Sequence, residues 1–393
     1  MRTYRELFRA PEYTPLFATS SAHLAATNVS GLALGTLVYD RTGSPLLAAL
    51  GMFGGSLAQV LGATALMSAA DRLPPRAAMT VIGLIFAAGT AALAIPGLPL
   101  WAVFAIVLGE GAVAAVGGGV RYGLLNEILP RDGFLLGRSV LNMSNGVLQI
   151  VGFSLGAVLV TVLSARGTLL VAAGLYLLAA IVARSGLARR APRASGRPSV
   201  AETWRNNTVL WSVKPRRYTY LALWVPNGLI VGCESLFIPL VPDHAGLLFA
   251  FAALGMLAGD VVGGRFVPGP WRRRLGAPML LLLATPYLLF AVHPPLPLAL
   301  AVVAVASIGY SATLLFQERL MAMTPDELSG QALGLHSSGM VAMQGVGASI
   351  AGGIAQVTSP TTAITVLAGA SITVTLTLAA GLRAHPGPVL REA

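Results

Sequence analysis

The sequence predicts an all-α membrane protein whose twelve transmembrane helices form two six-helix halves. Three observations carry the prediction: apolar runs long enough to span a bilayer, a one-sided distribution of positive charge, and an internal repeat. Of the 393 residues 55% are hydrophobic and 10% charged, and the mean hydropathy is +0.75. A water-soluble chain of this size has no way to cover so much apolar surface. Glycine is abundant, at 45 residues, as suits helices whose backbones approach closely in lipid. The single cysteine, Cys233, excludes an internal disulfide and leaves no thiol cluster for a metal.

A helix needs about 20 apolar residues to cross the hydrocarbon. In chain order such stretches cover 16–39, 45–69, 77–95, 100–121, 139–163 and 168–185, then 219–241, 245–265, 276–293, 297–317, 331–357 and 361–382. Residues 1–17 are mixed polar and basic, and the run that follows is too long for a signal-peptide core and lacks a convincing cleavage site. It is therefore expected to stay attached as the first span. With alternate loops on the same side, Arg41 and Arg166 lie alone on one face and the other 24 of 26 basic residues on the opposite one. Positive loops stay cytoplasmic, so both termini are expected inside a plasma membrane. Heavy use of Arg beside the single Lys214 suggests a GC-rich, bacterial source. Between an N-terminal half, 1–185, and a C-terminal half, 219–393, the interval 186–218 carries clustered Arg among Pro, Ser and Gly without an apolar period. It reads as a basic cytoplasmic linker, its charge explained by anionic lipid rather than nucleic acid.

The halves repeat each other. Asp71 with Arg76 ends the second span and Asp260 with Arg265 the eighth, with Met67 and Met256 each four residues before the acid. Pro130, Gln149, Gly152 and Ser154 recur as Pro325, Gln344, Gly347 and Ser349 at a constant offset of 195. An internal repeat of this kind brackets a central site in transporters.

On these residues the chain resembles the major facilitator superfamily over essentially its whole length. Asp71, Arg72 and Arg76 match the family's signature between helices 2 and 3, with Pro74 where a glycine is usual and Pro75 in place of a second basic residue. A second copy is partly kept as Asp260, Gly263 and Arg265. The resemblance implies that Asp71, Arg72, Arg76, Asp260 and Arg265 gate the cytoplasmic side, and that helices 1, 4, 7 and 10 line a central cavity. Signatures of the family's drug and proton antiporters are degraded. Val107, Glu110 and Gly111 stand where that branch has an Arg three residues before Gln-Gly, and Ala157 replaces a proline after Gly152 and Gly156. The overall pattern still looks most like bacterial efflux members.

The spans that the resemblance assigns to the cavity carry polar side chains at helical spacing: Ser20, His23, Thr27 and Ser30; Tyr220, Asn227 and Glu234; Tyr310, Thr313 and Gln317. Such stripes turn toward a wet interior. Glu110 sits near the centre of 100–121, with Arg121 eleven residues on, about 16 Å along the axis and too far for an ion pair. An ionisable group at bilayer depth reads as functional. Glu110 is the first candidate proton carrier, the alternative being a structural acid bonded to a neighbouring helix; Glu234 is the second. His23 is a relay or a histidine satisfied by a backbone carbonyl, and His336 reads as structural. No basic residue falls mid-span, so no clamp for phosphorylated or carboxylated substrates is expected. Sparse aromatics argue against a sugar platform.

These features point to a secondary transporter, not an enzyme, exporting small hydrophobic or cationic compounds in exchange for protons. Uptake or facilitated diffusion of a neutral metabolite is the alternative, and a non-transporting membrane enzyme or interaction protein a third class. The partners expected are a small-molecule substrate and the bilayer, with a monomer, no nucleic acid, no metal and no cofactor beyond a proton gradient. Gly152, Ser154 and Gly156 spell a hydrolase nucleophile pattern, but inside a membrane helix with no nearby His they read as a helix contact. Gly31 with Gly35 and Gly51 with Gly55 read in the same way.

Overall fold

The computed structural model describes residues 4–70, 73–129, 131–192, 200–263, 269–325 and 328–384. Among these the chain is helical, without a strand. In order come α1 (Tyr4–Arg9), α2 (Tyr13–Thr42), α3 (Pro45–Ala70), α4 (Pro75–Leu93), α5 (Leu100–Ile128), α6 (Arg131–Gly186), α7 (Val200–Ser212) and α8 (Lys214–Ser235). They are followed by α9 (Phe237–Leu240), α10 (Ala245–Val261), α11 (Gly269–Ala284), α12 (Leu296–Ile308), α13 (Ala312–Ala322), α14 (Ser329–Val357) and α15 (Pro360–Ala384). Among the described residues the expected spans are mostly helical, and nine helical stretches are long and apolar enough to cross a membrane.

Local chemistry sets the boundaries. Pro75 and Pro360 open α4 and α15, where a missing N–H costs nothing. Gly43, at φ 62, makes the left-handed turn between α2 and α3. The helical pattern of α6 runs 56 residues, but Ser164, at φ 68 and ψ 167, breaks it where the fifth and sixth spans were expected to part. Pro286 lacks the N–H that an α-turn needs, and α11 gives way to a 3-10 stretch, Thr285–Val292.

The structure adds detail at two places. Within the interval 186–218, read as a basic linker, Val200–Ser212 forms α7 and α8 begins at Lys214. In addition, α5 does not end at Arg121 but continues two turns to Ile128, which sets Arg121 inside the helix.

The chain forms two compact units, one of residues 1–42 and 54–198, the other of 43–53 and 199–393. The second takes in the first turns of α3, where Leu46 stands so close to Gly352 that a Cβ there would come 2.7 Å from its Cα. In the first unit α2 packs along α6. A Cβ on Gly152 would lie 2.7 Å from Asn28 Cβ, and one on Gly156 3.3 Å from Val29 Cα, so these glycines do mark the seam. In the second unit α8 packs along α14, where a Cβ on Gly347 would run into the Gly228 carbonyl. Tyr13 donates to the Gly137 carbonyl at 3.2 Å across the first seam, and Tyr220 to the Ala332 carbonyl at 3.2 Å across the second. The acceptors Gly137 and Ala332 stand 195 positions apart, the offset of the sequence repeat.

Candidate functional site

Each unit holds a carboxyl group drawn into the helix packing among polar side chains, half-buried Glu110 in the first and buried Glu234 in the second. In the first, Glu110 projects from α5 onto α4 at Gly89, where any side chain would strike its carboxylate. Thr90, almost fully buried, donates its hydroxyl to Glu110 Oε1 at 3.3 Å. Tyr176 of α6 lies within electrostatic reach of Glu110. Its hydroxyl is 3.0 Å from Thr27 Oγ1 of α2. Because Thr27 spends its one proton on the His23 carbonyl at 2.9 Å, Tyr176 is the donor to Thr27. The His23 ring is wedged edge-on between Phe86 and Tyr176, with centroids 4.8 and 4.9 Å away. Arg121 lies within electrostatic reach of His23. The structure thus brings His23, Thr27 and Glu110 together with Tyr176, Phe86 and Thr90, which no spacing in the sequence had joined to them. Ser30 is tied to the Thr27 carbonyl at 3.1 Å, and the buried Ser20 hydroxyl has no partner among the described residues.

In the second unit Glu234 sits on the last turn of α8, only 5% exposed. Tyr310 donates to Glu234 Oε1 at 3.1 Å. Tyr287 and Ser307 stand beside the pair, their hydroxyls buried and without a partner of standard geometry among the described residues. Cys233 turns the other way, its thiol toward the Ile364 carbonyl of α15 at 3.5 Å. Neither Glu110 nor Glu234 has a cation at ion-pair distance among the described residues.

The other candidates are spread along the second unit. Asn227 accepts from Gln344 at 3.5 Å. Gln317 pairs with His336 at 2.9 Å, and Trp224 donates to the His336 carbonyl at 3.0 Å. Tyr220 spends its hydroxyl in the seam and its ring against Trp211 and Trp224. Thr313 is half-buried on α13. Of the residues assigned to gating, Asp71, Arg72 and Arg265 lie outside the described residues. Arg76 stands on the first turn of α4, within electrostatic reach of Arg184 and Arg189, and Asp260 is exposed near the end of α10.

One charged group escaped the sequence altogether. Arg190, beyond α6, grips Glu12 in two bonds of 2.6 and 2.8 Å, while the Ala188 amide donates to the same carboxylate at 2.8 Å and Glu127 stands 3.4 Å from Arg190 Nε. Partial burial alone lifts the Glu12 carboxyl, but the bonds from Arg190 and Ala188 and the Arg190 charge outweigh it and hold the group below the ordinary range. The partners are 178 residues apart, and nothing local in the chain marks them. For α7 there was a signal, since Trp204 and Trp211 stand seven apart on one helical stripe.

Known proteins place this geometry. Among curated sequences none matches the chain. Among solved structures, one of a POT family transporter in complex with a thioalcohol conjugated peptide is 13% identical, with 94% of this chain and 95% of that one covered and a TM-score of 0.71. A variant of the nucleoside transporter NupG is 12% identical over 94% and 99% of the two chains, with a TM-score of 0.71. A bacterial homolog of the human lysosomal transporter Spinster, inward-facing and unoccupied, is 13% identical over 98% and 96%, with a TM-score of 0.67. At such identities the likeness speaks for the fold. The model of the Major Facilitator Superfamily matches residues 16–317, and the chain, with its repeated halves and its buried acids, belongs to that family of transporters.

Proposed function

We propose that this transporter couples export of small hydrophobic or cationic compounds to inward movement of protons, with Glu110 and Glu234 as the proton-binding groups. The observation that carries the reading is Glu234: a carboxyl 5% exposed, bonded to Tyr310 at 3.1 Å, with no cation among the described residues to balance a charge. An ionised carboxylate buried without a counter-ion is costly, so proton loss belongs to a state in which water or a cationic substrate reaches it. Alternating access, with twelve crossings and both termini in the cytoplasm, supplies that change, and Asp71, Arg72, Arg76, Asp260 and Arg265 gate the cytoplasmic side. The test is flux in proteoliposomes under an imposed pH gradient, using lipophilic cations, neutral drugs and peptides. Glu234→Gln and Glu110→Gln each abolish proton-driven flux while the protein stays folded. Unchanged pH-dependent transport in both variants rejects the reading.

A second reading is uptake or facilitated diffusion of a neutral metabolite. The peptide and nucleoside transporters of the same fold accord with it. Outward movement that an uncoupler collapses supports export, and substrate accumulation driven by an inward proton gradient supports uptake.

A further inference from the structure

Arg216 lies on the first turn of α8, 6% exposed. Its Nε and Nη1 atoms are buried and have no hydrogen-bond partner among the described residues. Buried guanidinium N–H groups without an acceptor are costly and call for a partner. Its neighbours on α8 are donors. Lys214 and Arg217 flank it, and the N-terminal end of α8 adds its own positive dipole. One turn on, the Tyr220 hydroxyl donates to the Ala332 carbonyl, and Gln331 Nε2 donates to Asn207 at 2.9 Å. Glu234 is eighteen residues along the helix, about 27 Å away.

We propose that Arg216 anchors a binding site for a phosphate group at the foot of α8, supplied by an anionic lipid headgroup or by a phosphate in solution. The planar fork of arginine matches phosphate oxygens in pairs, and Lys214 and Arg217 beside it on α8 add two further positive charges. The site lies along α8 about 27 Å from Glu234 and does not depend on the transport reading.

The test is thermal unfolding of the full-length protein in an uncharged detergent, titrated with short-chain phosphatidylglycerol, with inorganic phosphate, or with chloride at equal ionic strength. The melting temperature of the wild type rises with a phosphate-bearing species and not with chloride. A rise with phosphatidylglycerol alone assigns the site to lipid, and a rise with inorganic phosphate as well assigns it to the free ion. Arg216→Met loses the response, while Arg217→Met keeps it. If Arg216→Met does not fold, Arg216→Lys, which keeps the charge and loses the fork, binds about tenfold more weakly. No response to either phosphate source, an equal response in Arg216→Met, or unchanged affinity in Arg216→Lys overturns the proposal.

Discussion

Tyr13 of the first unit and Tyr220 of the second perform one task, each donating to a backbone carbonyl on the helix it packs against, at positions 195 apart. Gly152 and Gly347, separated by the same offset, keep the two seams close. The titratable groups follow no such rule. The first unit places its buried acid on α5 against Thr90, and pairs Arg190 with Glu12 and Glu127. The second places its acid on α8 against Tyr310, and leaves Arg216 without a carboxylate among the described residues. Close backbone contact is dictated by helix geometry and persists in both copies. Polar groups set into the interior depend on a few neighbours each, and these have diverged, so the halves divide the chemistry between them.

The strongest way to break the comparison is to fill the two seam glycines. At Gly347 a methyl group meets the Gly228 backbone carbonyl, which has no rotamer to move to, and Gly347→Ala costs about 3 kcal/mol or more. At Gly152 the obstacle is Asn28 Cβ at 2.7 Å, and Gly152→Ala costs about 1–3 kcal/mol. Both are read as lost thermal stability in detergent; negligible losses at both sites would mean that the seams are looser than their geometry.

A smaller effect sharpens the contrast in charge. Because the Glu12 carboxyl is held below its ordinary range, its stabilisation is complete above the unfolded value of about 4.3 and is lost as pH falls through the folded one. Glu12→Gln therefore costs about 1 kcal/mol at neutral pH and little in strong acid, so the melting temperatures of variant and wild type converge as pH drops. Parallel curves at every pH would deny Glu12 its role.

Much of this was legible in the sequence because apolar length and repeat offset are properties of one stretch at a time. The twelve stretches, the break near Ser164 and the matched glycines all follow from spacing. The grouping of His23 and Thr27 on one stripe was visible too, but not that Tyr176 and Phe86 close around them, since such contacts join helices far apart in sequence. The helical end of α5 was not legible because the apolar run stops at its first basic residue, Arg121, whereas a long side chain lets helix continue past it. The segment 200–212 was read by composition, which its Asn and Arg residues dominate, rather than by the seven-residue spacing of its two tryptophans.

The finest test concerns the two places where each unit turns back. Ser164 and Ser359 are again 195 apart, and each lends its hydroxyl to the amide three residues on, at 3.5 Å to Gly167 and 3.1 Å to Thr362. Ser164 holds φ 68 and ψ 167, a region that side chains avoid at about 1 kcal/mol or more, whereas Ser359 has no positive φ and is followed by Pro360, which sets the turn. Glycine at position 164 relieves strain and gives up only a weak cap; glycine at 359 gives up a good cap and relieves nothing. Ser164→Gly therefore raises thermal stability by about 0.5 kcal/mol and Ser359→Gly lowers it by a similar amount. Opposite signs at equivalent positions would show that the units reach one chain reversal by different means, one by strain and one by proline, and equal signs would mean that the Ser164 backbone is not strained.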